Sequence, residues 1–167
     1  MPRPRTRGGL LPLMLLLACA GCHDEPNRFD KVQQETRGQK ATSDEAVAGG
    51  DFNKFFPRSE GDFSVIYTQE KKGFAEAEVK KGGEVLATLS IFDTTSNPEA
   101  AQKFRDATLT LDTYPEVEVG SLGTAILVEN RMQVQVRSKD AGIDKAGRES
   151  WIRRFDLPNL AAYAKIQ

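Results

Sequence analysis

"FAEAEVKKGGEVLATLSIFD", residues 74–93, alternates in side-chain character on both sides of Gly82-Gly83. Before the glycines, Ala75, Ala77 and Val79 occupy one face, with Glu76, Glu78 and Lys80 on the other. After them, Val85, Ala87, Leu89 and Ile91 continue the apolar face. A period of two is the signature of half-buried strands. A Gly-Gly pair between two such runs predicts a β-hairpin, because both central residues of its tight turn need positive φ. Leu86 and Phe92 point away from Val85 and Leu89, so the second strand is expected to be covered on both sides, as a central strand is.

The neighbouring segments extend this sheet. Upstream, residues 63–68 carry Phe63, Val65, Ile66 and Tyr67 and read as a first strand. Phe52, Phe55, Phe56 and Phe63 cluster nearby and are read as a lid on the edge of a core. Downstream, Ser96 or Asn97 caps, Pro98 and Glu99 suit a first helical turn, and Ala100, Ala101, Phe104, Ala107 and Leu111 fall at helical spacing. A helix of about fourteen residues is expected over 98–111. Val117 and Val119 then mark a strand, and residues 124–128 and 132–136 flank Glu129-Asn130 as a second hairpin. The chain closes on an amphipathic stripe of Trp151, Ile152 and Phe155 and a last turn from Pro158 through Leu160, Ala161 and Tyr163. The order is β3αβ3α. It predicts an α+β domain over residues 51–167, with an antiparallel sheet of about six strands and two main helices.

The first fifty residues differ in kind. Residues 1–9 are short and basic, and an apolar run of about eleven residues follows, ending in "LLLACAGC", residues 15–22. Charged, apolar and small-residue regions in that order are those of a secretory signal peptide, and the run falls short of the ~20 residues that span a bilayer as a helix. Leu16-Leu17-Ala18-Cys19 resembles a bacterial lipobox, with an aliphatic residue three before the cysteine and a small one next to it. The expected anchor is therefore Cys19, with Cys22 as its alternative and residues 1–18 as the signal peptide. Ala18-Cys19-Ala20 also offers ordinary cleavage before Gly21. Acylation would hold an exported protein to the membrane of the cell envelope. Residues 19–50 are polar and poor in aliphatics, which reads as a flexible tether.

Composition and motifs narrow the function. Residues 1–18 hold three arginines and no acid; the remaining 20 basic and 24 acidic residues give −4. A mildly acidic protein lacks the basic footprint of a nucleic-acid partner. The one histidine, His23, lies in the tether, so histidine-based nucleophile systems and ordinary zinc sites are not expected, and no phosphate-cradling glycine motif occurs. No catalytic residues, metal ligands or cofactor are assigned. The row Gln133, Gln135 and Arg137, with Arg131 at the turn, offers donors and acceptors on a rigid strand. It is the expected binding face, suited to an acidic or carbonyl-rich partner. The reading is a non-catalytic binding or accessory module. The alternatives are an enzyme using Glu76, Glu78 and Asp93 as carboxylates or ion ligands, and a purely structural envelope protein.

Five stretches carry a resemblance: "YTQEKKGFAEAEVKKGGEVLATLSIFDT", "NPEAAQKF", "YPEV", "AILVENRMQVQV" and "WIRRFDLPNLAAY". Together they resemble a family of uncharacterised secreted bacterial domains, often predicted lipoproteins, over about residues 52–163. In that family a hairpin ending in an aspartate leads to a helix. A later strand opens with Asn or Asp, Arg and an aromatic, where this chain has Asn130, Arg131 and Met132. The resemblance implies no enzymatic activity. The β3αβ3α order is also similar to that of Mog1/PsbP-like domains, which act as binding or accessory proteins.

Overall fold

The computed structural model describes residues 42–167. The expected signal peptide, Cys19, Cys22 and His23 lie outside those residues. Within them, all seven strands join one antiparallel sheet in the order β1-β2-β3-β7-β6-β5-β4. The strands are β1 (Phe63–Lys71), β2 (Phe74–Lys81), β3 (Glu84–Asp93), β4 (Leu109–Leu111), β5 (Tyr114–Val119), β6 (Gly123–Val128) and β7 (Met132–Ser138). The helices are α1 (Glu99–Gln102), α2 (Lys145–Ile152) and α3 (Leu157–Ile166), and a 3-10 helix spans Gly49–Phe55.

The β2–β3 hairpin forms where its alternation places it, but the register shifts between Val79 and Lys80, so Val85 pairs with Lys80 and is half-buried instead of continuing the core face. Lys81 pairs with Glu84 across Gly82 and Gly83, whose φ values are +59° and +89°. Ala75, Ala77, Val79, Ala87, Leu89 and Ile91 are fully buried on one face of the sheet. Met132, Val134 and Val136 of β7 and Ile126 and Val128 of β6 extend this surface. Trp151, Ile152, Leu160 and the aromatic lid Phe52, Phe55 and Phe56 close over it from α2, α3 and the 3-10 helix. At ~25 cal/mol per Å² of apolar area removed from water, this layer is the main stabilising contact of the fold. Each long helix starts on an aspartate cap: Asp144 accepts from the Gly147 amide (2.8 Å) and Asp156 from the Asn159 amide (3.3 Å).

Two expectations are corrected. The fourteen-residue helix over 98–111 shrinks to the four residues of α1, and Leu109–Leu111 becomes a seventh strand paired with β5. Leu109, Thr110 and Leu111 alternate, and an adjacent partner strand lies only two residues downstream, so hairpin pairing overrides the helical spacing. The supposed stripe is thereby divided. Phe104 packs with Ala125 and Leu127 on the second face of the sheet, while Leu111 joins the main core. The second correction concerns the tether, expected to run to residue 50. Ala46, Val47 and Gly49 are buried, and the 3-10 helix begins at Gly49.

The β6–β7 turn is closed by the Arg131 amide donating to the Val128 carbonyl (3.1 Å), with Glu129 at φ +51° and Asn130 at φ +54°. Asparagine adopts this region at lower cost than glutamate does. Glu129→Asn is therefore expected to stabilise the fold by about 0.5–1 kcal/mol, against the small loss of the exposed Lys165–Glu129 pair (3.2 Å). A urea midpoint that fails to rise would refute strain at this turn.

Candidate functional site

The two faces of the sheet sort the predicted site residues. Cross-strand pairing puts Gln133 beside Phe92, Gln135 beside Ser90 and Arg137 beside Thr88, all on the face away from α2 and α3. Across β6 the same residues meet Leu127, Ala125 and Gly123. Phe104, with Ala101 beside it, packs over the β5–β6 side of this face. The β2–β3–β7 side retains the polar row Glu76, Ser90 and Gln135, with Glu78, Thr88 and Arg137 beside it.

Within that row the side chains differ in availability. Gln133 is 8% exposed; its Nε2 donates to Gln135 Oε1 (3.1 Å), while its own buried Oε1 has no hydrogen-bond partner among the described residues. Arg137 is exposed, and among the described residues its side chain makes only a long hydrogen bond, to the Val119 carbonyl (3.5 Å). Together with Thr88, Leu122 and Lys139 it lines a depression of about 290 Å³. Two cations and a hydroxyl at one concave edge suit an anionic or carbonyl-bearing group.

Arg131 does not belong to this row. Placed in the turn before β7, it reaches the other side of the sheet's end and grips Asp93 through two bonds, Nε to Oδ1 (3.0 Å) and Nη2 to Oδ2 (2.9 Å). Asp93 is fully buried and also accepts from the Thr95 amide (3.0 Å), the Thr95 hydroxyl (2.6 Å) and the Val47 amide (3.1 Å). Burial by itself would raise this carboxyl; the bonds from Arg131, Thr95 and Val47 outweigh it and hold Asp93 below the ordinary carboxylate range. In return the bond to Asp93 raises the Arg131 guanidinium above its usual value.

The carboxylates of the enzymatic alternative are likewise kept apart. Asp93 shares the core face with Ile91 and Leu89, whereas Glu76 and Glu78 pair across the strands with Ser90 and Thr88 on the opposite face. Glu78 meets Lys80 (2.9 Å), and Glu76 accepts from the Thr68 hydroxyl (3.1 Å). Among the described residues no three His, Cys, Asp or Glu side chains gather as metal ligands would.

Two features escaped the sequence. Glu116 is 3% exposed on the core side of β5 and meets Lys145 of α2 at 2.8 Å. The bond that Lys145 donates to Glu116, with Glu149 at 3.4 Å, raises the Lys145 ammonium. Only the flanking valines of "YPEVEV" signalled burial, and they face the other way, toward the Phe104 cluster. The second is a groove of about 490 Å³ between the 3-10 helix and α3, lined by Phe55, Tyr163 and Ile166. Lys54 stands over its aromatic wall, 4.4 Å from the Tyr163 ring centre and 5.1 Å from that of Phe55.

Compared with models of known protein families, with curated proteins and with solved structures, the chain shows no match.

Proposed function

We propose that the chain is an exported binding or accessory module of the cell envelope, lipid-anchored at Cys19 or, alternatively, Cys22. It works without catalysis and offers the β2–β3–β7 part of its sheet to a protein or small ligand. The observation that supports this reading is the Arg137 edge: an exposed guanidinium beside Thr88 and Lys139 on a rigid strand, with no ion-pair partner among the described residues. Hydrogen bonds to such a charged group contribute about 1.5–3 kcal/mol when a partner desolvates them. A rigid strand holds them in place without the entropy loss of ordering a loop.

The test is co-purification of the anchored protein from its own envelope, with Arg137→Ala and Lys139→Ala alongside. A specific partner is expected with the unaltered chain, reduced about tenfold or more by either change, in line with one lost charged bond. Equal recovery from all three would dismiss this edge as the binding face. Anchoring is tested separately by the intact mass of the mature protein: an acylated cysteine at its start supports it, and an unmodified Gly21 start refutes it.

A further inference from the structure

Residues 43–47 cross the end of the sheet at which β2 begins and β3 ends; the Asp44 carboxylate pairs with Lys72 (3.8 Å), and the hydrogen bonds from the body of the domain go to the strap's main chain. The Ser43 amide donates to Ser96 Oγ (2.8 Å), and the Val47 amide donates to Asp93 Oδ2 (3.1 Å). The carbonyl of residue 44 accepts from Lys72 Nζ (2.9 Å), that of Glu45 from Arg131 Nη2 (3.2 Å), and that of Val47 from the Gly73 amide (2.6 Å). The strap makes its own reverse turn, with the Ala46 amide donating to the Ser43 carbonyl (3.2 Å). Only two side chains of the strap are buried, and both are small: Ala46 at 5% exposure and Val47 at 4%.

A contact of this kind reads peptide groups, which every polypeptide carries, and two small apolar side chains, which many do. The central recognising groups, Asp93, Arg131 and Gly73, are held by partners outside the strap. Asp93 and Arg131 close on each other through two bonds, and Thr95 adds two more to the same carboxylate. Gly73 is fixed by the Asp93 amide, which donates to its carbonyl (2.8 Å). With the strap lifted, the domain would present the Gly73 amide and the Asp93–Arg131 pair already in place, while the Ser96 hydroxyl and the Lys72 ammonium would be released to meet a new segment.

We propose that residues 43–47 fill in cis a peptide-binding groove built on Asp93 and Arg131. The groove takes in trans a segment that turns tightly and then presents two small apolar side chains. The chain's own strap is the intrinsic competitor, so access to the groove is set by how readily the strap opens. This proposal stands apart from the Arg137 edge, which lies on the other face of the sheet.

The test uses the full chain carrying Ala46→Asp, which puts a charge into a buried position of its own strap, and a labelled synthetic peptide of residues 42–48. The peptide is expected to bind the variant about tenfold or more tighter than the unaltered chain, because the competing strap is weakened. A peptide bearing the same Ala46→Asp change is expected to bind neither. A variant with a well-dispersed amide spectrum that takes both peptides equally, or neither, overturns the proposal. Should Ala46→Asp prevent folding, hydrogen exchange of the unaltered chain decides. The Val47 and Gly73 amides are expected to exchange about tenfold or more faster than those of Leu89 and Val134, through local opening. Exchange of all four together, by global unfolding alone, would overturn it equally.

Discussion

Replacing Arg131 by methionine is expected to destabilise the domain by about 3–5 kcal/mol at neutral pH, the cost of leaving a buried carboxylate without its cation. For a folded unit of this size that is a fall in Tm of roughly 10 °C or more. Asp93 has no exposure through which water could take over, and its remaining donors would be Thr95 and Val47. The pH dependence separates this loss from a simple packing defect. In the unaltered chain the Asp93 carboxyl is lowered, so its contribution is complete above the unfolded value near 4 and fades only as pH falls through the lower folded value. Without Arg131, burial is opposed only by the bonds from Thr95 and Val47, so the carboxyl is expected to move upward and the variant to relieve its buried charge by taking up a proton as the solution is acidified. The gap between the two proteins should therefore be widest at pH 7 and narrow toward pH 4. Urea midpoints across that range check it, and a gap independent of pH would show that the side chain acts by packing alone.

Gly49→Ala is the second large effect expected, at about 3 kcal/mol. A Cβ at this position would collide with the Lys71 carbonyl oxygen and sit 2.5 Å from that of Phe74 and 2.6 Å from the Lys71 nitrogen. All three are main-chain atoms of the β1–β2 hairpin, so no side chain can rotate away. Either the hairpin or the 3-10 helix must move, and the helix carries the fully buried Phe52. The neighbouring glycine is the control. A Cβ on Gly50 meets only the Glu70 carboxylate oxygen, at 3.5 Å, so Gly50→Ala should leave the denaturation midpoint within about 0.5 kcal/mol of the unaltered value. Similar losses from both alanines would rule out close approach as the reason for glycine at position 49.

These two sites also mark where sequence reading stopped. The Gly82-Gly83 hairpin was legible because its cause is local: alternation on both sides and a turn that needs positive φ. The core faces of β2, β3 and β7 followed from the same period. The helix over 98–111 misled because Ala100, Phe104 and Leu111 satisfy helical spacing, and nothing in that spacing shows that Leu111 and Phe104 pack on different clusters. The end of the tether misled for another reason. Residues 43–50 carry little apolar surface, and their order comes from donors and acceptors at positions 72, 73, 93, 96 and 131, which composition cannot register. Of the candidate binding row, the alternation of β7 correctly put Gln133, Gln135 and Arg137 on one face. Arg131 was misassigned because a residue in a turn has no face, and its direction is set by a carboxylate 38 positions away.

The strand order bears on how the chain reaches this structure. β1-β2-β3 and β4-β5-β6-β7 are each a meander of sequence neighbours, and the β3–β7 pairing is what joins them. Each meander can zip from its own turns on the microsecond scale of hairpin formation. Joining them must close a loop from Asp93 to Met132, the nearest partners across the seam, which costs more entropy than any hairpin. The slow step of folding should therefore be the docking of two partly formed half-sheets along β3 and β7. Substitutions along that seam would slow folding, whereas those at the outer edges of β1 and β4 would mainly hasten unfolding.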